Sequence, residues 1–315
     1  MKISDFEINL PDPPLQGAHC IAMLKPWINV GNVGQIVQRR LGRMYAAERV
    51  GQLERPGKFY DFTRYRPEIR LRNGLRSVRV PNTIVRIGRR TDAPDLVFLQ
   101  LLEPHAFAED FNDSVLEILK SLNVTRYLQI GGMYDSVPHS RPLPVTGTAR
   151  GWDPPLVFSG VKLSSSNYQG PTSMSSQISE RARNELQLET LSLMVHLPLY
   201  LKLDDDYVGS VRILTILSEL YGFNLEFPEV EMAAKQYEQV NPAMNENPAL
   251  REMVKRFERD SDSESEPDST GENPTISGGE QSDAISLSPE IEQFLSDIAH
   301  GETDPDNEDP GLRSS

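Results

Sequence analysis

Six residues in two separated stretches have the types that could do chemistry. Tyr60, Asp61 and Arg64 lie in the run from Phe59 to Pro81, and Tyr134, His139 and Arg141 in the run from Ile130 to Gly147. Histidine titrates near neutrality, so His139 between Tyr134 and Arg141 has the character of a proton-transfer group. Pro138, Pro142 and Pro144 would stiffen its loop, as a positioned site requires. Both stretches are polar, aromatic and irregular, and loops at strand ends are where α/β folds build sites. The six are therefore expected to converge on one ligand-binding region. The competing reading has His139 and Arg141 bonded to loop carbonyls and Arg64 paired with Asp61. No motif is specific enough to name a reaction, so no residue is assigned as catalytic.

Other features carry weaker signals. Gly31, Asn32 and Gly34 follow a short apolar run and precede helical spacing, so their amides could cradle an anion at a helix N-terminus. The loop lacks the Lys-Ser/Thr of a nucleoside-triphosphate loop and the third glycine of a dinucleotide fingerprint, and a tight strand-to-helix turn explains it equally. Residues 39–90 hold 15 Lys and Arg against four acids. That excess suits nucleic acid, a solvated strand face or docking of acidic protein, including this chain's own tail, and without a nucleic-acid motif the first is disfavoured. No paired His or Cys spacing suggests a metal, and no cofactor is expected. His196 ends an apolar run and reads as a satisfied strand-end residue.

The elements that must position these residues alternate. His19–Leu24 is an apolar run expected as a buried strand, followed by a helix through Ile36, Val37, Leu41 and Met44. A weaker strand spans 49–53. Arg76–Val80 and Thr83–Ile87 read as a hairpin with arginine alternating against Val and Ile. Strands are expected at 95–102, 124–130 (ending at Gly131-Gly132) and 190–196, with helices at 106–122, 175–186 and 205–221, and one or two more within 229–258. Such alternation predicts an α/β layered domain with a mostly parallel central sheet.

Charge divides the chain. Its 315 residues carry a net charge of −14. Residues 260–315 hold sixteen acids and one base, Arg313, which makes −15 and leaves the first 259 residues at +1. With almost no apolar residues in the acidic stretch that follows 259, 260–274, the tail is expected to be disordered. This gives a domain at 1–258, with a helical segment at 205–258, and a tail at 259–315. Within the tail, Ser288 and Pro289 could start a short helix, 288–299, whose Ile291, Phe294, Leu295 and Ile298 fall at i, i+3, i+4 and i+7. Such a helix is marginal alone and should fold on a partner. The single cysteine, Cys20, excludes an internal disulfide and should pack as a small hydrophobe. No apolar run approaches the about 18 residues of a membrane span, and none resembles a secretion signal. A soluble, cytoplasmic protein is expected.

An ordered set of motifs resembles the prokaryotic branch of the proteasome assembly chaperone 2 family over about residues 15–258. It comprises Gly31-Asn32-Val33-Gly34, Phe59-Tyr60-Asp61-Phe62, Arg64, Arg66-Pro67, Gly131-Gly132-Met133-Tyr134, Val137-Pro138-His139, Arg141-Pro142, Val145-Thr146-Gly147 and Tyr168-Gln169-Gly170-Pro171-Thr172. The resemblance implies a three-layer α/β/α sandwich similar to the nucleoside phosphorylases, and a homo-oligomer. It implies no agreed catalytic residues. Eukaryotic relatives are non-enzymatic chaperones of proteasome assembly. Some relatives end in a hydrophobic–Tyr–any-residue tripeptide that docks on the proteasome ring, whereas this chain ends Leu312-Arg313-Ser314-Ser315, so docking of that kind is not expected. The resemblance favours a non-enzymatic oligomeric interaction or assembly-chaperone-like protein with an unidentified client. The alternative is a small-ligand binder or enzyme on a phosphorylase-like fold.

Overall fold

The structure, a computed structural model, describes residues 1–72, 74–91, 93–156, 160–163, 172–223, 226, 228–238, 240, 242 and 247–264. The stripe Ile291, Phe294, Leu295 and Ile298 and the motif residues 168–171 lie outside the described residues. In chain order the elements are β1 (Lys2–Ile3), β2 (Phe6–Ile8), β3 (Ala18–Lys25), α1 (Val33–Met44), β4 (Glu48–Leu53), β5 (Glu68–Arg72), β6 (Leu75–Arg79), β7 (Ile84–Gly88), β8 (Leu96–Leu102), α2 (Ala108–Ser121), β9 (Val124–Asp135), β10 (Val145–Arg150), β11 (Lys162–Leu163), α3 (Met174–Leu186), β12 (Glu189–Pro198), α4 (Tyr207–Tyr221), α5 (Glu229–Glu238) and α6 (Pro248–Glu264).

Ten strands form one sheet in the order β1-β2-β4-β7-β8-β3-β9-β12-β10-β11. Its centre, β8-β3-β9-β12, is parallel, as the alternating pattern predicts. Outward of β8 the pairs are antiparallel, and the short 89–95 connection between β7 and β8 can join only antiparallel neighbours. Helices cover both faces. In β3, Ile21 and Met23 face a core shared with α1, α4 and α6, while Cys20, Ala22 and Leu24 face a core shared with α2 and α3. Successive strand residues point to opposite faces, and both faces are dry here, which explains the unbroken apolar run. Burial also pushes the Cys20 thiol far above its ordinary pKa.

Helix ends follow local chemistry. Ser173 caps α3 by accepting from Ser176 N at 3.2 Å. Asp206 caps α4 by accepting from Gly209 N at 2.7 Å, and Gly222 ends that helix in the left-handed region at φ 68.

Two expectations need correction. The 76–80 and 83–87 segments do not form a hairpin. β6 pairs instead with β5, with Ile69 opposite Val78 and Arg72 opposite Leu75, in a two-stranded sheet of its own. β7 lies in the main sheet between β4 and β8. Pro81 follows β6, and proline cannot continue a paired strand. The second correction is that β9 does not stop at Gly131-Gly132 but runs on to Asp135. Both glycines permit a close crossing: a Cβ on Gly131 would stand 2.4 Å from the Ile28 carbonyl oxygen. The boundary read at 258 falls inside α6, which continues to Glu264.

Candidate functional site

The glycine loop lies where β3 ends. Gly31 adopts φ 57, and a Cβ on it would meet the Asp206 Cβ at 2.7 Å. The Asp206 N–H donates to the Gly31 carbonyl at 2.8 Å. Asn32 Nδ2 donates to Asp205 Oδ1 at 2.7 Å, and Asn29 Nδ2 donates to Asn32 Oδ1 at 2.9 Å. On Gly34 a Cβ would approach the Met23 Cβ to 2.9 Å. The three loop candidates thus pack α1 closely on β3 and on the start of α4. The charged group nearest the loop's side-chain donors is a carboxylate, which opposes an anion.

The structure ties the six ligand candidates to separate partners. Tyr60 is buried, donates to the Leu102 carbonyl at 3.1 Å and shares a 2.6 Å hydrogen bond with Thr83 Oγ1. Asp61 Oδ1 accepts from Thr63 N at 2.8 Å and Thr63 Oγ1 at 2.7 Å, which holds its carboxyl below the usual range. Arg64, 72% exposed, reaches Asp61 at 4.0 Å. This group packs on the α2 side. His139 N donates to Tyr200 Oη at 2.8 Å, and its ring stands edge-on to Tyr200 and Tyr237 on the α4–α6 side. Arg141 Nε and Nη2 donate to the Asp262 carboxylate at 3.0 Å each. Tyr134 is partly exposed, and burial, aided by Asp206 and Asp204, pushes its phenol up to about 12. The contacts described join neither group to the other: Tyr60 packs in the core on the α2 side, and the His139 ring packs against Tyr200 and Tyr237 on the other.

A different constellation does assemble. His196 Nδ1 lies 2.6 Å from Asp135 Oδ2, and His196 Nε2 lies 2.9 Å from Thr146 Oγ1. The His196 hydrogen bond holds the Asp135 carboxyl below its ordinary range. An ionised carboxylate only accepts, so Nδ1 carries the proton, and in the neutral ring Nε2 accepts from the Thr146 hydroxyl. This is the order of hydrogen bonds in a nucleophile–base–orienter relay. His196 is the satisfied strand-end residue that the sequence suggests, two places before the end of β12, but its partners are not legible there. The pairing of His196 with Met133 across β12 and β9 brings Asp135 within reach, and only that register reveals the contact.

The sequence profile of the PAC2 family, the proteasome assembly chaperone 2 family, matches residues 23–244. The chain belongs to this family. A PAC2 family protein from Streptomyces avermitilis is 25% identical, with TM-score 0.63 over 71% of this chain and 95% of its own. A protein of unknown function from Corynebacterium glutamicum is 19% identical, with TM-score 0.71 over 82% of this chain and 97% of its own. A Mycobacterium tuberculosis proteasome-assembly chaperone homologue is 20% identical, with TM-score 0.65 over 75% of this chain and 99% of its own. The last two likenesses show a shared fold. No curated protein matches the chain significantly.

Two further surfaces stand out on this PAC2 chain. An open depression of about 360 Å³ lies over α4 and α5, lined by His139, Ser140, Val208, Ala233, Tyr237 and Glu238 among others. The β5–β6 hairpin is the more unusual. Every β6 residue is exposed, and Ile69, Leu71, Leu75 and Val78 are 58%, 74%, 76% and 61% exposed. No helix among the described residues is long and apolar enough to cross a membrane.

Proposed function

We propose that the chain is a non-enzymatic, assembly-chaperone-like interaction protein that works as a homo-oligomer in the cytoplasm. The observation that carries this reading is the β5–β6 hairpin. Clustered exposed aliphatic residues mark interaction sites, and a lone two-stranded hairpin is marginal without something packed on it. Membership of the PAC2 family and the likeness to a proteasome-assembly chaperone homologue support the same class of role. The test is affinity capture of the tagged full-length protein beside an Ile69→Ser/Leu71→Ser/Val78→Ser variant, with light scattering for subunit number. Loss of a captured protein or of subunits is expected, since apolar anchors dominate such interfaces. Identical partners and mass in both proteins would overturn the reading.

A second reading, an enzyme or small-ligand binder, is favoured by one observation, the Asp135–His196–Thr146 relay. Its test is an activated acyl ester. Thr146 Oγ would attack the carbonyl, its proton would pass to His196 Nε2, and the aryl oxide would leave. A stoichiometric burst that is lost in Thr146→Ala and kept in Thr146→Ser would support it. Equal release by wild type and Thr146→Ala would remove it.

A further inference from the structure

The apolar face of the β5–β6 hairpin implies an occupant of defined chemistry. Residues directly opposite in an antiparallel pair share a face. Ile69 pairs with Val78 and Leu71 with Arg76, so three aliphatic side chains and one arginine share one side. Arg70, Ser77, Glu68, Arg79 and Leu75 share the other. From 68 to 79 the sequence holds four arginines and one glutamate, a net charge of +3. Two such hairpins meeting face to face would set like charges together, which disfavours a second copy's hairpin as the cover.

The chain contains a segment of opposite character. Residues 288–299 space Ile291, Phe294, Leu295 and Ile298 as one helical face and carry Glu290, Glu292 and Asp297 with no base, a net charge of −3. We propose that the segment 288–299 docks as an amphipathic helix on the β5–β6 hairpin of its own chain, setting its aliphatic stripe on Ile69, Leu71 and Val78 and its acids toward Arg76 on that side.

Reach permits it. The 23 residues between Glu264 and Ser288 can span at most roughly 80 Å. Both ends start from the same edge of the sheet. Asp262 near the end of α6 pairs with Arg141 in the loop after β9. At the foot of the hairpin, Arg79 and Glu68 lie close enough to Lys25, the last residue of β3, to influence its proton. The charge split of the chain then has a structural purpose. The acidic segment shields an exposed basic, apolar hairpin until a competing partner displaces it.

This inference rests on the protein-interaction reading of the hairpin. It is tested on the full-length protein by hydrogen exchange of the 68–79 amides, comparing wild type with Phe294→Ala/Leu295→Ala. Exchange at least about tenfold faster in the variant is expected, because a covered hairpin exchanges only through release. Unchanged exchange overturns the docking. A second measurement does not depend on protection. The native Cys20 is buried, so an Arg76→Cys/Ala299→Cys protein, with one thiol on the aliphatic side of the hairpin and one beside the stripe, should give an internally cross-linked monomer with a short bis-maleimide. No cross-link, or only cross-linked dimers, overturns it. If exchange does not respond but the Ile69/Leu71/Val78 variant still loses partners, this inference alone fails. If exchange responds while partners and subunit number ignore the hairpin, the chaperone-like reading fails instead.

Discussion

Tyr237 donates a 3.0 Å hydrogen bond to Asp206 Oδ2, joining α5 to the N-cap of α4 at a carboxylate only 3% exposed. Burial raises the Asp206 pKa from 3.8 to about 6, although hydrogen bonds from Gly209 and Tyr237 pull it down. Between pH 4 and 6 the folded state therefore holds a proton that the unfolded state has released. Stability contributed by this group falls as pH rises through that window, by up to about 3 kcal/mol. Asp206→Asn keeps an N-cap acceptor and cannot ionise. Urea unfolding should find the variant about 1–3 kcal/mol more stable than wild type at pH 7.5, with the advantage gone below pH 4.

His19 works in the opposite direction. It is 9% exposed, lies 3.2 Å from Tyr221 Oη, and has its pKa lowered to about 4 by burial, with Arg126 and Arg90 adding repulsion. Below pH 6.5 the unfolded chain takes up a proton that the folded ring refuses. Its stabilising contribution is complete above pH 6.5 and is lost as pH falls toward 4. His19→Gln should flatten the acid limb of the stability profile, and the same unfolding series at pH 4.5 and 7.5 measures it. A wild-type profile steeper than that of Asp206→Asn in acid would contradict the opposed pair.

Arg40 on α1 and Glu229 on α5 form a bidentate pair, with Nε to Oε2 at 2.8 Å and Nη2 to Oε1 at 2.8 Å, at side-chain exposures of 19% and 10%. Removing one partner leaves a charge largely out of water. Glu229→Ala should cost about 2–4 kcal/mol and lower the thermal midpoint. Arg40→Ala/Glu229→Ala should recover part of that loss, as a double-mutant cycle would record.

The sequence makes the parallel core legible because its signal is local. Runs such as 20–24 and 96–99 are apolar without interruption because both faces are buried, and β3 and β8 are indeed neighbours in the parallel block. The hairpin is less legible, since alternation of Arg with Val in 76–80 mimics a half-buried strand although both faces of β6 are exposed. The better signal is Asn73-Gly74, a hairpin-turn dipeptide, between the two true partners. The site is least legible. Tyr60 and His139 have suggestive types, yet which side of the sheet each faces is a matter of layer, not of spacing. Asp135 and His196 meet only through the β9–β12 register.

The last turns of α6 depend on a surface contact that can be cut without touching the core. Asp262 accepts two 3.0 Å hydrogen bonds from Arg141, and Glu258 stands 3.9 Å from the same guanidinium. One turn earlier Phe257 is buried and stacks on Tyr200, so the helix is anchored by packing up to 257 and by charge beyond it. Helix ends fray when their tertiary contacts go. Limited proteolysis of wild type should leave a fragment ending after 264. In Asp262→Ala the cut should move back into the 258–264 turns while the thermal midpoint stays put, since exposed ion pairs contribute little to global stability. Added salt should shift the wild-type cut the same way by screening the pair. An unmoved cut in the variant would mean that packing at Phe257 alone holds the whole helix.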